Sequence, residues 1–193
     1  MTKEDVIQFF DRLAPTWDEE MIRNDATIDT ILDLGGIREG KSVLDVACGT
    51  GVLFPDYLKR NVSNIVGVDI SPKMAAIAQA KVHDERLQVI CADVQELEWD
   101  RQFDCIMIYN AFPHFPEPEI LFAHLAGYLA PRGRITVAHG MSRDKIDAHH
   151  SGSARKVSMG LMHEDALAEM MSQWFQVDVK IADTEKYIVS AFI

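Results

Sequence analysis

An open α/β sheet with a ligand crevice at its carboxyl edge is the fold class this chain predicts, and three observations carry it. The run Val43-Leu44-Asp45-Val46-Ala47-Cys48-Gly49-Thr50-Gly51 is an apolar, β-rich strand that stops at a carboxylate and passes through a glycine-punctuated turn into Val52-Leu53-Phe54. Glycines at 49 and 51 let the backbone bend tightly and admit a ligand with no Cβ in the way. Two later runs, 64–69 and 87–94, read as strands that each close on an acid, Asp69 and Asp93. Strand, turn and helix in this order form a nucleotide site at the end of a first parallel strand.

The spacing bears on which nucleotide. A pyrophosphate reader needs G-x-G-x-x-G and a helix N-terminus aimed at anionic oxygens. Here Phe54 stands where the third small residue belongs, and Asp45 before the turn repels phosphate. S-adenosylmethionine fits better, because it has no phosphate and carries a positive sulfonium and a positive amino group. Asp69 is placed for ribose hydroxyls, a role that alone would serve NAD equally well. Asp93 is placed for an adenine amino group.

The remaining elements follow in order. Thr2-Lys3-Glu4-Asp5 begins like a capping box, Val6, Phe9, Phe10 and Leu13 lie on one helical face, and Pro15 ends that helix. After Trp17-Asp18 a second helix, striped by Ile28, Ile31 and Leu32, runs to Gly35-Gly36. A helix over 52–60 follows the first turn, and Ser71-Pro72 opens the next as a hydroxyl cap with proline at the first helical position. Met74 on that helix suits the core or the adenine. Glu96, Glu98 and Asp100 read as a solvated loop.

The fourth strand, 103–108, empties into Tyr109-Asn110-Ala111-Phe112-Pro113-His114, and a helix over 117–129 leads to the fifth strand, 134–139, which ends on His139. The polar segment 140–160 is expected to be a functional or mobile excursion. A helix over 164–174 and two strands, 177–181 and 187–192, joined by Asp183-Thr184-Glu185-Lys186, close the chain.

These motifs resemble those of the class I S-adenosylmethionine-dependent methyltransferases: 43–51 their first motif, 66–71 their second, 92–94 their third, with 103–108 and 129–135 as their fourth strand and the entry to their fifth. The resemblance covers about 40–140. It implies a Rossmann-like three-layer α/β/α sandwich whose seven-stranded, mostly parallel sheet has an antiparallel last strand. The implied cofactor contacts are Asp45, Ala47, Cys48, Gly49, Gly51, Asp69, Ile70, Met74, Asp93, Val94 and Asn110. Phe9-Phe10-Asp11-x-x-Ala14-x-x-Trp17-Asp18 resembles the opening of small-molecule methyltransferases of the quinone-biosynthesis group, where a helical flap covers the cofactor. That makes 1–36 a flap, adds Trp17 to the cofactor's surroundings, and makes 140–160 an insertion after the fifth strand of one 1–193 domain. The loop after the fourth strand departs from Asn-Pro-Pro-Tyr, keeping only Asn110, which argues against amide or nucleobase nitrogens as acceptors.

Composition narrows the partners. At 193 residues, with 48% hydrophobic and 25% charged residues, one ordinary globular domain is expected. A net charge of −11 with no local basic run argues against nucleic acid. Cys48, Cys91 and Cys105 have no metal spacing and read as buried free thiols in a reducing cytoplasm. The absence of a signal-like segment or a bilayer-length apolar run leads us to expect a cytoplasmic protein without membrane partners. Oligomeric state is open, a homodimer included.

The expected reaction is methyl transfer from S-adenosylmethionine to a small molecule, with His139 and then His114 as candidate general bases. The rival readings are an inactive protein that binds S-adenosylmethionine or S-adenosylhomocysteine, a nucleotide oxidoreductase, and a metal-assisted methyltransferase. In the last, His139, His149, His150 and His163 would gather with His114. No pair has a zinc spacing such as H-E-x-x-H, so no metal is assigned.

Overall fold

A computed structural model describes residues 1–149 and 153–193, apart from the side chains of 148, 149, 153 and 154. Seven strands form one sheet: β1 (Ser42–Val46), β2 (Asn64–Asp69), β3 (Leu87–Cys91), β4 (Phe103–Tyr109), β5 (Leu129–His139), β6 (Gln176–Ala182) and β7 (Tyr187–Phe192). Their spatial order is β3-β2-β1-β4-β5-β7-β6. β1 to β5 are mutually parallel, and β7 runs antiparallel between β5 and β6. The order reverses between β1 and β4, and an open α/β sheet binds ligands beyond the strand ends at such a reversal.

Strands buried on both faces read as continuous apolar runs, which is how 65–68 and 105–108 are written, and 43–46 apart from Asp45. On one face pack α3 (Asp25–Leu34), α4 (Phe54–Lys59) and α5 (Pro72–Lys81), with Ile31, Phe54, Tyr57 and Ala78 meeting Val43, Ile65 and Met107. On the other, α6 (Pro118–Ala126) and α8 (Glu164–Met171) bring Leu121, Phe122, Leu167 and Met171 to Leu44, Val66, Ile106 and Val137. The expected three-layer sandwich is present. No described helix is long and apolar enough to cross a membrane.

Local chemistry sets the helix ends. Thr2 and Asp5 complete the capping box of α1 (Lys3–Leu13), with the Asp5 amide 3.2 Å from the Thr2 hydroxyl. Ser71 caps α5 by accepting from the Met74 amide at 3.2 Å. Some bounds differ from the sequence reading. β5 begins at Leu129 because Pro131-Arg132-Gly133 is absorbed as an irregularity against β4 rather than a loop before it. The polar 140–160 stretch includes α7 (Arg143–His149), which buries Ile146, and a 3-10 turn at Ser153–Val157. One large apolar residue in a short polar helix gives no periodic signal. Between α1 and α3, Trp17–Glu20 forms the one-turn α2.

Gly67, mid-strand in β2, is a close-approach position. A Cβ there would lie 2.5 Å from the Phe54 ring and 3.0 Å from the Cys48 sulfur. Gly67→Ala is expected to cost about 1–3 kcal/mol by overpacking. The urea midpoint should fall at unchanged slope, and a midpoint equal to wild type would refute the tight fit.

Candidate functional site

The first turn is built from residues in the left-handed region. Ala47 has φ 54°, Gly49 φ 57° and Gly51 φ 75°. At Gly51 a Cβ would sit 2.5 Å from the Phe54 ring, so only glycine is accommodated. At Gly49 a Cβ would meet nothing within 4 Å, so open space lies beside the turn. Asp69 ties this turn to the next one: its carboxylate accepts from the Gly49 amide at 2.8 Å and from the Ser71 amide at 2.8 Å. Burial raises the Asp69 carboxyl and these two amides restrain it, leaving it at about 6.

Asp45 differs sharply. It pairs in register with Gly67 of β2 and Met107 of β4, and it is 2% exposed. No ion pair among the described residues reaches it, and burial pushes its carboxyl up to about 8, aided by the nearby Asp69 charge. A buried acid with no cation, next to a turn with room beside it, matches a cationic, phosphate-free ligand. The residues present therefore fit S-adenosylmethionine. Asp93, two residues past β3, accepts from the Gln95 amide at 2.9 Å through one oxygen and pairs with Lys3 through the other. The three acids thus lie at the tips of three adjacent strands, as the sequence expects.

Several other expected residues are packed rather than open. Met74 is 1% exposed and Val94 4%, so both belong to the core in this state. Cys48 and Cys105 are buried as expected but Cys91, at the end of the edge strand β3, is exposed; burial beside Asp45 and Asp69 holds the Cys48 thiol well above the usual range. Ile70 and Ala47 are half-buried. Asn110 has φ 54° and uses its side-chain oxygen to accept from the Gly140 amide at 3.0 Å, tying the loop after β4 to the end of β5.

The segment before β1 lies across all three motifs. Lys3 bridges Asp93 and Glu96, the latter at 2.7 Å. Asp11 accepts from the Ser71 hydroxyl at 2.6 Å and the Lys73 amide at 3.0 Å. Asp18 accepts from the Thr50 hydroxyl at 2.6 Å and pairs with Lys81 at 2.6 Å. Trp17, half-buried, meets Phe10 edge-on at 5.8 Å, and Phe10 meets His114 edge-on at 4.9 Å. Nothing in the sequence marks Lys3, Asp11, Asp18, Thr50, Ser71 or Glu96 as a site residue. Their partners lie 32 to 93 positions away, and no local pattern encodes such pairings.

The candidate bases sit differently. His139, at the end of β5, is 2% exposed and edge-on to Tyr187 at 6.0 Å. The Nδ1 of His114 is 2.6 Å from the Val157 carbonyl. A carbonyl only accepts, so Nδ1 carries the hydrogen and Nε2 is the basic nitrogen of the neutral ring. Between the loop after β4 and the 158–162 segment opens a groove of about 800 Å³, lined by Phe112, Phe115, Met159 and Met162 with Arg155 and Asp147.

Among the described residues, the groups close enough to share one metal ion are His163, Glu164 and Asp165, at the start of α8. Neither His114 nor His139 belongs to that group. His150 and the side chain of His149 lie outside the described residues.

The Asp45 environment makes a stability prediction. The folded state keeps a proton on Asp45 up to about pH 8, whereas an unfolded aspartate loses it near 4. Stability from this group is therefore full below about 4 and is lost as pH rises through about 8. The melting temperature of the ligand-free protein should fall between about pH 5 and 8 and level off above, and Asp45→Asn should flatten that fall. Parallel pH profiles for the two proteins would contradict it.

Residues 43–133 match a methyltransferase domain family. Malonyl-[acyl-carrier protein] O-methyltransferase of Priestia megaterium is 30% identical over 121 residues, 62% of this chain and 44% of that protein. Ubiquinone biosynthesis O-methyltransferase of Coxiella burnetii is 31% identical over 100 residues, 50% of this chain and 42% of that protein. In each case the match spans less than half of the relative's length. Magnesium protoporphyrin IX methyltransferase from Synechocystis PCC 6803, solved with bound S-adenosylhomocysteine, superposes with a TM-score of 0.73 at 18% identity, covering 99% of both chains. Residues 43–133 thus resemble a methyltransferase domain, and the chain, with this sheet order, shares the fold of that solved methyltransferase.

Proposed function

We propose that this chain binds S-adenosylmethionine at the carboxyl edge of β1, β2 and β3 and transfers its methyl group to a small-molecule acceptor. The observation that carries the reading is Asp45, a buried acid without a cation beside a turn that opens on empty space. In this reading Asp69 accepts from ribose hydroxyls, Asp93 from the adenine amino group, and Asp45 faces the cationic end. Ala47, Cys48, Gly49 and Gly51 line the turn, with Ile70, Met74 and Val94 around the nucleoside. The sulfonium supplies an already activated methyl group, so the chain's share is to align the acceptor and exclude water. Alignment of this kind is worth about 7–11 kcal/mol.

The acceptor's apolar body is assigned to the groove between Phe112, Phe115, Met159 and Met162, whose volume suits a small ligand. Both relatives are named O-methyltransferases, which favours an oxygen acceptor. A hydroxyl needs a base to take its proton, and His139 and His114 are the candidates. The segment before β1, Trp17 included, is the flap that shuts out water, and 140–160 is the insertion that helps to shape the acceptor side of a single domain. A cytoplasmic setting is the expected one.

Calorimetry should show binding of S-adenosylmethionine and S-adenosylhomocysteine and none of NAD; the reverse preference would overturn the reading. Labelled methyl transfer to a panel of apolar hydroxyl compounds then separates an enzyme from a binder. His139→Ala should lower turnover by about 10²-fold with cofactor affinity intact. An unchanged rate passes the role to His114, and unchanged rates in both single variants exclude a histidine base. Removing residues 1–20 should weaken cofactor binding, and an unaltered affinity would count against the flap.

A further inference from the structure

Asp45 has an unused neighbour. Tyr57, on α4, is 0% exposed, and its hydroxyl stands beside the Asp45 carboxyl. It is not seated there, for it makes no full hydrogen bond to any described residue. Burying a hydroxyl unpaired costs free energy, so its retention against an acid calls for a second state in which it is paired. The other titratable groups facing this pair are Asp69 from β2, Cys48 from the turn and Cys105 from β4. The cations on adjoining segments are engaged elsewhere, Lys81 with Asp18 at 2.6 Å and Lys41 with Asp104 at 2.9 Å.

We propose that Asp45 and Tyr57 form a proton-holding pair: Asp45 is a neutral acid in the free protein, an arriving cationic cofactor drives one proton into solvent, and the Tyr57 hydroxyl then seats on the carboxylate and fixes its orientation. The inference rests on assigning the first turn to S-adenosylmethionine. Its balance is simple: the carboxyl O–H breaks, the proton goes to buffer, and the carboxylate left behind faces the cofactor's positive charge. Burial that pushes the Asp45 carboxyl up to about 8 agrees with a neutral acid at pH 7. Tyr57 is a positioning residue here, acting through Asp45.

The test is titration calorimetry of the full chain with S-adenosylmethionine at pH 7, in phosphate and in Tris, whose ionisation heats differ. Wild type should release close to one proton per cofactor bound. Its affinity should tighten by up to about tenfold per pH unit between pH 6.5 and 7.5. Asp45→Asn sets the baseline for the cofactor's own amino group and should release none, as should wild type titrated with adenosine, which carries no cation. Tyr57→Phe, which keeps the packed ring, should move the upper end of the affinity profile to higher pH. Binding with no proton release overturns the pair and leaves the cofactor assignment standing, whereas no binding by wild type sinks both. A Tyr57→Phe profile superimposable on wild type overturns the tyrosine's part.

Discussion

Asp69 is the fixed point to which the crevice is referenced. Its two oxygens hold the Gly49 amide of the first turn and the Ser71 amide that opens α5. Two backbone segments from different strands are thus locked by one buried carboxylate, and hydrogen bonds to a charged acceptor are the strong ones. Ser71 in turn donates to Asp11 of α1. A single acid therefore links the first turn, the start of α5 and, through one hydroxyl, the segment lying over both.

That overlying segment is held mainly by polar contacts at its rim. The Lys3 side chain is 54% exposed, and pairs with so exposed a member are worth about 1 kcal/mol or less. Asp18 and Lys81, at 40% and 26%, are only somewhat better shielded. The aromatic file Trp17, Phe10 and His114 adds directional contacts of modest strength. Such attachments close a surface without welding it shut, which suits the flap of the proposed function. In the proposed function the adenine amino group and Lys3 are both donors to Asp93, so the flap's ion pair and the ligand meet on the same carboxylate.

How much of this was legible from sequence depends on range. The strand-tip acids were readable because each sits inside a short run that declares its own strand, and the Ser71-Pro72 cap was readable for the same reason. The sheet order follows from the resemblance, since alternating strands and helices alone permit more than one winding. Lys3 to Asp93 spans 90 positions and follows only from packing α1 over the third motif. Glu96, read as a plain solvated loop residue, is a partner of Lys3 for the same reason. Asn110 stands in the loop after β4, where its carboxamide oxygen is taken up by the Gly140 amide, a pairing across 30 positions that no local pattern encodes. α7 escaped because, among the described side chains of that helix, Ile146 is the one that is buried.

Asp45 and Asp69 are the same side chain at neighbouring strand tips, and their environments divide the work between them. Asp69 receives its donors from the protein, so it is restrained to about 6, which suits the acceptor role given to it in the proposed function. Asp45 receives none of comparable quality and rises to about 8. Keeping such an acid unpaired in the interior is a cost the fold bears continuously. The same low-dielectric surroundings make a cation arriving beside it bind far more strongly than it would in water. A site whose charge exists only when its ligand is present discriminates by charge at the moment of binding. A neutral nucleoside, offering nothing to offset the buried carboxylate, would gain nothing from ionising it.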